Sequence, residues 1–160
     1  MWNTFWADVV VAVIGAVLTS GLAVWIALLT VKRELARRER DGVEQLIHEI
    51  NSRRVLIDIH PKLVLKARKR RDYERCALSV RYLRDLARST RRDTRGNRNA
   101  SDALGGLVSA FNRYLEDSEL DPTRYQFHLM MARSAAISCG AEIQATLPSV
   151  PAIKPGSEAL

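Results

Sequence analysis

The sequence predicts an all-α protein: a single N-terminal transmembrane helix continuing into a small cytoplasmic helical bundle of about three further helices, then a disordered C-terminal tail. Three observations carry that expectation. Val9 to Val31, VVVAVIGAVLTSGLAVWIALLTV, is a run of 23 residues without an ionisable side chain. Beyond it, apolar residues recur every three or four positions, the spacing of one helix face, and no alternating strand pattern appears. Charge is segregated along the chain. Residues 1–31 carry one acid, 32–52 balance five bases against five acids, 53–98 hold 16 bases and 5 acids, and 99–160 hold 4 bases and 7 acids. The overall charge of +7 in 160 residues therefore comes from one segment.

Taken in order, residues 1–8 form a short extracytoplasmic N-terminus, 9–31 the membrane span, 32–147 a cytoplasmic helical domain and 148–160 the tail. A helix of 23 residues is roughly 35 Å long, slightly more than the ~30 Å hydrocarbon core. Trp2 and Trp6 precede it, where indoles favour the headgroup layer. A cleaved signal peptide fits less well, because no basic residue comes first and the apolar run is too long. Lys32, Arg33, Arg37, Arg38 and Arg40 follow directly, so the positive-inside rule puts the bulk of the chain in the cytoplasm, attached to the inner membrane. Within the span Ala12, Ala16, Thr19, Ser20, Ala23, Ala27 and Thr30 fall on one arc, and small stripes let helix backbones approach closely in lipid. Ala12, Ala16, Ser20, Ala23 and Ala27 are accordingly the candidate helix-association residues, and a homo-oligomer is expected.

No helix breaker separates Val31 from Lys32, so the first helix should run on, with Leu35, Val43, Leu46, Ile47 and Ile50 as a narrow, coiled-coil-like seam. Pro61 disfavours helical geometry at His60 and should end it there. A second helix is expected from Pro61 to about Arg92, with Cys76, Val80, Leu83, Leu86 and Ala87 facing inward. The stretch 92–101, RDTRGNRNAS, reads as a mobile loop. Asn99 or Ser101 should cap a third helix whose face is Leu104, Leu107, Val108, Phe111 and Leu115. Asp121-Pro122 starts a fourth, facing inward through Tyr125, Leu129, Ala132, Ala136, Cys139, Gly140, Ile143 and Leu147. The tail, PSVPAIKPGSEAL, holds three prolines and is expected to be disordered.

Chemistry is sparse in this sequence. His48, His60 and His128 stand apart, Cys76 and Cys139 lie 63 positions apart, and no nucleophile, metal or phosphate-loop motif occurs. Gly105-Gly106 lacks the Lys-Ser/Thr that a phosphate loop needs, and Glu116, Asp117, Glu119 and Asp121 lack the spacing of a calcium loop. Arg75 and Arg81 beside Cys76 would lower its pKa, but its place on the apolar arc makes it an inert core thiol. No catalysis, metal or cofactor is expected.

The basic segment is the candidate site. Arg81, Arg84, Arg88, Arg91, Arg95 and Arg98 are spaced three and four apart, one arc of a helix, and Lys66, Arg68, Lys69, Arg70 and Arg71 form a denser cluster. A second helix as long as the cytosolic part of the first, returning antiparallel, would bring Arg88 to Arg98 back to the membrane. There they would join Lys32 and Arg33 against anionic lipids or an acidic partner. Nucleic acid is disfavoured, since only Tyr73 and Tyr82 interleave with the basic run and no binding module is visible. Two functions follow. The first is a membrane-anchored interaction module; the alternative is a small membrane-active effector of holin-like, toxin-like or phage-exclusion type.

Overall fold

A computed structural model describes the backbone of residues 2–57 and 70–159, with side chains at 20–57 and 72–159. Four helices account for most of it: α1 (Trp2–Ser52), α2 (Arg70–Asp93), α3 (Arg98–Leu120) and α4 (Tyr125–Thr146). Two 3-10 turns, Arg54–Leu56 and Pro122–Arg124, complete the regular structure. Among the described residues there is no strand, so the all-helical expectation holds. The chain divides into two compact units, Met1–Arg38 and Glu39–Leu160.

The first unit consists of the N-terminal part of α1. From Ser20 to Arg38 nearly every side chain is exposed, including Leu22, Val24, Trp25, Ile26, Leu28 and Val31. Among the described residues no helix is long and apolar enough to cross a membrane. The membrane span expected over 9–31 is therefore not supported by the described residues; within it side chains are described only from Ser20 on, so those of Trp2, Trp6, Ala12, Ala16 and Thr19 are not among them.

The second unit is a helical bundle. Val43, Leu46, Ile47 and Ile50 of α1 are fully buried beside Val80, Leu83 and Ala87 of α2, Leu104, Leu107, Phe111 and Tyr114 of α3, and Ala136 and Ile143 of α4. On each helix these positions share one face, most of them three or four residues apart, and each fully buried aliphatic side chain contributes about 1.5–3 kcal/mol. Leu35, expected on the same seam, is exposed. Within this unit α2 runs antiparallel to α1. The Arg53 guanidinium stacks on the Tyr82 ring at 4.5 Å, while at the other end Gly42 lies 3.8 Å from the Thr90 methyl group, measured from where its Cβ would be.

Three expectations are corrected here, and two share a cause. The first helix stops at Ser52, not near His60, and the tail expected to be disordered is docked. A helix end leaves carbonyls without donors. Those of Ile50 and Asn51 accept from Gly156 and Glu158 of the tail at 3.2 and 3.0 Å. The Asn51 side chain completes the clamp, its amide donating to the Ala152 carbonyl at 3.1 Å and its oxygen accepting from the Lys154 amide at 2.7 Å. Val150, Ile153, Pro155 and Gly156 are buried as a result. The bend at His60-Pro61, the first part of the second helix and the cluster Lys66, Arg68 and Lys69 lie outside the described residues, as do the side chains of Arg70 and Arg71.

The third correction is the supposed mobile loop. α2 and α3 meet in a tight turn in which Thr94 is fully buried. Its amide and hydroxyl both donate to the Thr90 carbonyl, at 2.9 and 3.0 Å, closing the end of α2. The cap of α3 is Asn97, whose side chain accepts from the Ala100 amide at 3.2 Å, in place of Asn99 or Ser101. At the next junction Asp121 caps as expected, accepting from the Thr123 amide at 3.1 Å, but it opens a 3-10 turn before α4. The Thr123 hydroxyl and then its amide hold the Asp121 carboxyl below its ordinary value.

Candidate functional site

The turn at 94–97 decides where the arginines go. Arg81, Arg84, Arg88 and Arg91 remain on α2, Arg95 sits in the turn and Arg98 opens α3, so the six do not form one helical stripe. The turn instead folds part of the set around an open cleft of about 690 Å³, lined by Asp85, Arg88, Arg91, Arg92, Arg95 and Ser101. Arg92 and Ser101 were missed by a search for one arc. The signal for Arg92 is its position four residues after Arg88, which puts both on one ridge of α2.

Two cleft arginines are positioned by α3. Arg88 donates to the Asn112 side-chain oxygen at 3.4 Å and lies 3.8 Å from the Asp85 carboxylate. Arg91 lies across the backbone at Gly105: a Cβ there would stand 3.0 Å from its Cζ, 3.2 Å from Nη2 and 3.3 Å from Nε. Nearly equal distances to three guanidinium atoms mean that the flat face rests on the glycine, with the N–H donors lying in a plane alongside α3. Asp85 is already engaged by Arg84 at 2.8 Å, so the one carboxylate in the cleft does not neutralise it. Among the described residues Arg91, Arg92 and Arg95 form no ion pair. The first turn of α3 adds a hydroxyl at Ser101 and the positive end of a helix dipole.

The other predicted site residues stand elsewhere. Arg81 is exposed on α2, and Arg98 is 93% exposed, 3.9 Å from Asp102. Lys32 and Arg33 belong to the first unit and are exposed there. Of the helix-association set Ser20, Ala23 and Ala27 are exposed, and the Ala12 and Ala16 side chains are outside the described residues.

Nothing resembling a catalytic centre emerges among the described residues. A smaller cavity of about 120 Å³ is lined by Cys76 together with Arg54, Tyr125 and Arg133. Arg75 and Arg81 do not activate this thiol. Burial, reinforced by the Asp72 charge, pushes it up to about 11, so it stays protonated at neutral pH. Cys139 is pushed up to about 12 by burial and donates to the Ala103 carbonyl at 3.1 Å. His128 lies 3.8 Å from Asp117, His48 lies 2.9 Å from Glu158, and no cluster among the described residues has the ligands for a metal ion. Tyr114 and Ser118, a turn apart on α3, bury hydroxyls that meet no partner of standard hydrogen-bond geometry.

The chain matches no protein-family model, no curated protein and no solved structure.

Proposed function

We propose that this chain is a single-pass, membrane-anchored helical interaction module, with residues 9–31 in the inner membrane and the helical unit in the cytoplasm. The observation that carries it is the surface of α1 between Ser20 and Val31. Six large apolar side chains there are 52–60% exposed and point all round the helix, where a helix packed against protein would show one apolar face. They continue the uncharged run from Val9. Small residues on the same segment suit self-association in lipid.

The basic groups fit the same arrangement. Glu39, the first residue of the second unit, lies against Gly96, its Oε1 2.7 Å from where a Cβ would be. The arginines therefore gather at the end of that unit where its chain begins, the end nearest along the chain to the anchor. Anionic headgroups or an acidic partner at the membrane would meet Arg88, Arg91 and Arg95 of that unit, each worth about 1 kcal/mol near a charged surface; Lys32 and Arg33 of the first unit would contribute separately. The mechanism is positioning: confinement to two dimensions raises the module's effective concentration for other membrane-bound molecules.

Membrane fractionation tests this directly. The full-length chain should resist extraction by high salt and alkaline carbonate, and protease added to intact cells should spare the C-terminal unit. Release by salt, or digestion from outside, overturns the proposal. So does rapid collapse of the membrane potential on controlled expression, which would mark an effector.

A further inference from the structure

We propose that the cleft between the end of α2 and the start of α3 is a binding site for a compact ligand carrying two adjacent phosphate groups. Its class is a paired-phosphate anion, whether a soluble diphosphate or a lipid headgroup whose two phosphates are joined through a single glycerol. The inference rests on the reading of the basic face as a contact surface, and not on the anchor.

The charge balance comes first. Four guanidiniums face one carboxylate, Asp85, which is shared between Arg84 outside the cleft at 2.8 Å and Arg88 at 3.8 Å, so Arg91, Arg92 and Arg95 are left without an ion pair among the described residues. Several unneutralised positive charges within little more than one helical turn repel one another, so a ligand supplying several negative charges in a small volume gains most. A flexible acidic peptide spreads its charges one per side chain; a diphosphate concentrates them. The geometry agrees. Guanidinium forks match phosphate oxygens two at a time, and the N-terminal turn of α3, with the Ser101 hydroxyl, adds donors suited to an anion. The opening of about 690 Å³ is far larger than one phosphate fills.

The site is also partly built before any ligand arrives. Gly105 is the reason. A Cβ there would stand 3.0 Å from the Arg91 guanidinium carbon, so the guanidinium would have to give by a few tenths of an ångström. A glycine in the interior of α3 costs helix stability. Here it lets an arginine lie flat on the helix, and Asn112 fixes Arg88 beside it at 3.4 Å. Preorganised donors bind with a smaller loss of side-chain freedom.

The test uses the full-length chain in detergent, titrated with pyrophosphate, inorganic phosphate and poly-glutamate. Pyrophosphate should bind at least about tenfold more tightly than inorganic phosphate, and the affinity should fall with added salt. Arg91→Gln with Arg95→Gln should cost about tenfold or more in pyrophosphate affinity, while Arg81→Gln, outside the cleft, should leave it unchanged. Gly105→Ala gives the sharper reading. Alanine favours the helix, so the midpoint of thermal unfolding should rise by about 2–4 °C while pyrophosphate affinity drops several-fold. Loss of binding in that variant cannot be a failure to fold.

The source of the phosphates is read by repeating the titration in nanodiscs of phosphatidylcholine with and without cardiolipin. Weaker pyrophosphate binding when cardiolipin is present assigns the cleft to the lipid headgroup; unchanged binding assigns it to a soluble diphosphate. The proposal is overturned if pyrophosphate does not bind, if the cleft variants bind it as well as the wild type, or if poly-glutamate binds equally tightly, which would point to an acidic protein. None of these outcomes depends on extraction from membranes, so the anchor stands or falls separately.

Discussion

The two ends of α1 are made of similar residues and meet opposite surroundings. Between Leu22 and Val31 the large apolar side chains are 52–60% exposed, whereas Val43, Leu46, Ile47 and Ile50 of the same helix are fully buried. The difference is one of pattern. In the second unit apolar residues occupy one side, at spacings of three and four, and α2 and α3 cover that side. In the first they occupy every side and are exposed on every side among the described residues. Hydropathy alone registers both stretches as avoiding water; only their angular distribution separates a helix with one covered face from a helix that is apolar all round.

Truncation should expose that contrast most strongly. Leu46→Ala should cost about 2–5 kcal/mol, because neighbours from three helices leave a cavity that cannot close. Leu28→Ala should change the unfolding free energy of the C-terminal unit by less than about 0.5 kcal/mol. The measurement is urea unfolding followed by circular dichroism, since Trp2, Trp6 and Trp25 all lie in the first unit and leave the bundle without a tryptophan probe. Equal costs at the two positions would erase the distinction.

A smaller effect is expected where the tail seals the end of α1. Gly156 has φ +77°, and a Cβ there would stand 2.7 Å from the Ile57 backbone nitrogen. Gly156→Ala should cost about 1–3 kcal/mol through strain at positive φ. It should also free the tail for limited proteolysis, visible as early loss of residues 148–160 to a protease of broad specificity. Tail cleavage as slow as in the wild type would mean that the clamp does not depend on this residue.

The smallest effect is a pH dependence confined to the bundle. The Cys76 thiol is raised from 9.0 to about 11 in the folded chain, chiefly by burial. Above pH 9 the unfolded chain loses this proton while the folded chain keeps it, so unfolding releases protons and stability falls as pH rises toward 11. Cys76→Ala should flatten that alkaline slope in thermal melts between pH 8 and 10, while its lost packing lowers every melt by a pH-independent amount. An unchanged slope would show that other groups carry it.

How much of this was legible in the sequence depends on how local the cause is. The inward faces of α3 and α4 were readable because Leu104, Leu107, Phe111, Ala136 and Ile143 follow the period of their own helix. The segment 92–101 was misread because it has no large apolar residue. Thr94 is nonetheless buried, using its hydroxyl rather than its bulk to close α2. The arginine stripe suffered from the same misreading: without knowing that α2 ends at Asp93, six residues at helical spacing look like one face. Three prolines in the tail marked a segment unable to form a helix, and that much is true of it. What composition could not convey is that a segment without internal hydrogen bonds can satisfy those of another.

By itself the sequence determined the helical class, the segregation of charge and the uncharged run from Val9 to Val31, since each follows from neighbours within a few positions along the chain. Tertiary structure alone decided that Asn51 would hold Ala152 and Lys154, and that Gly105 would make room for Arg91. Those pairings join groups from about 14 to 103 positions apart, and they form only when the burial of a shared core has already brought their helices together.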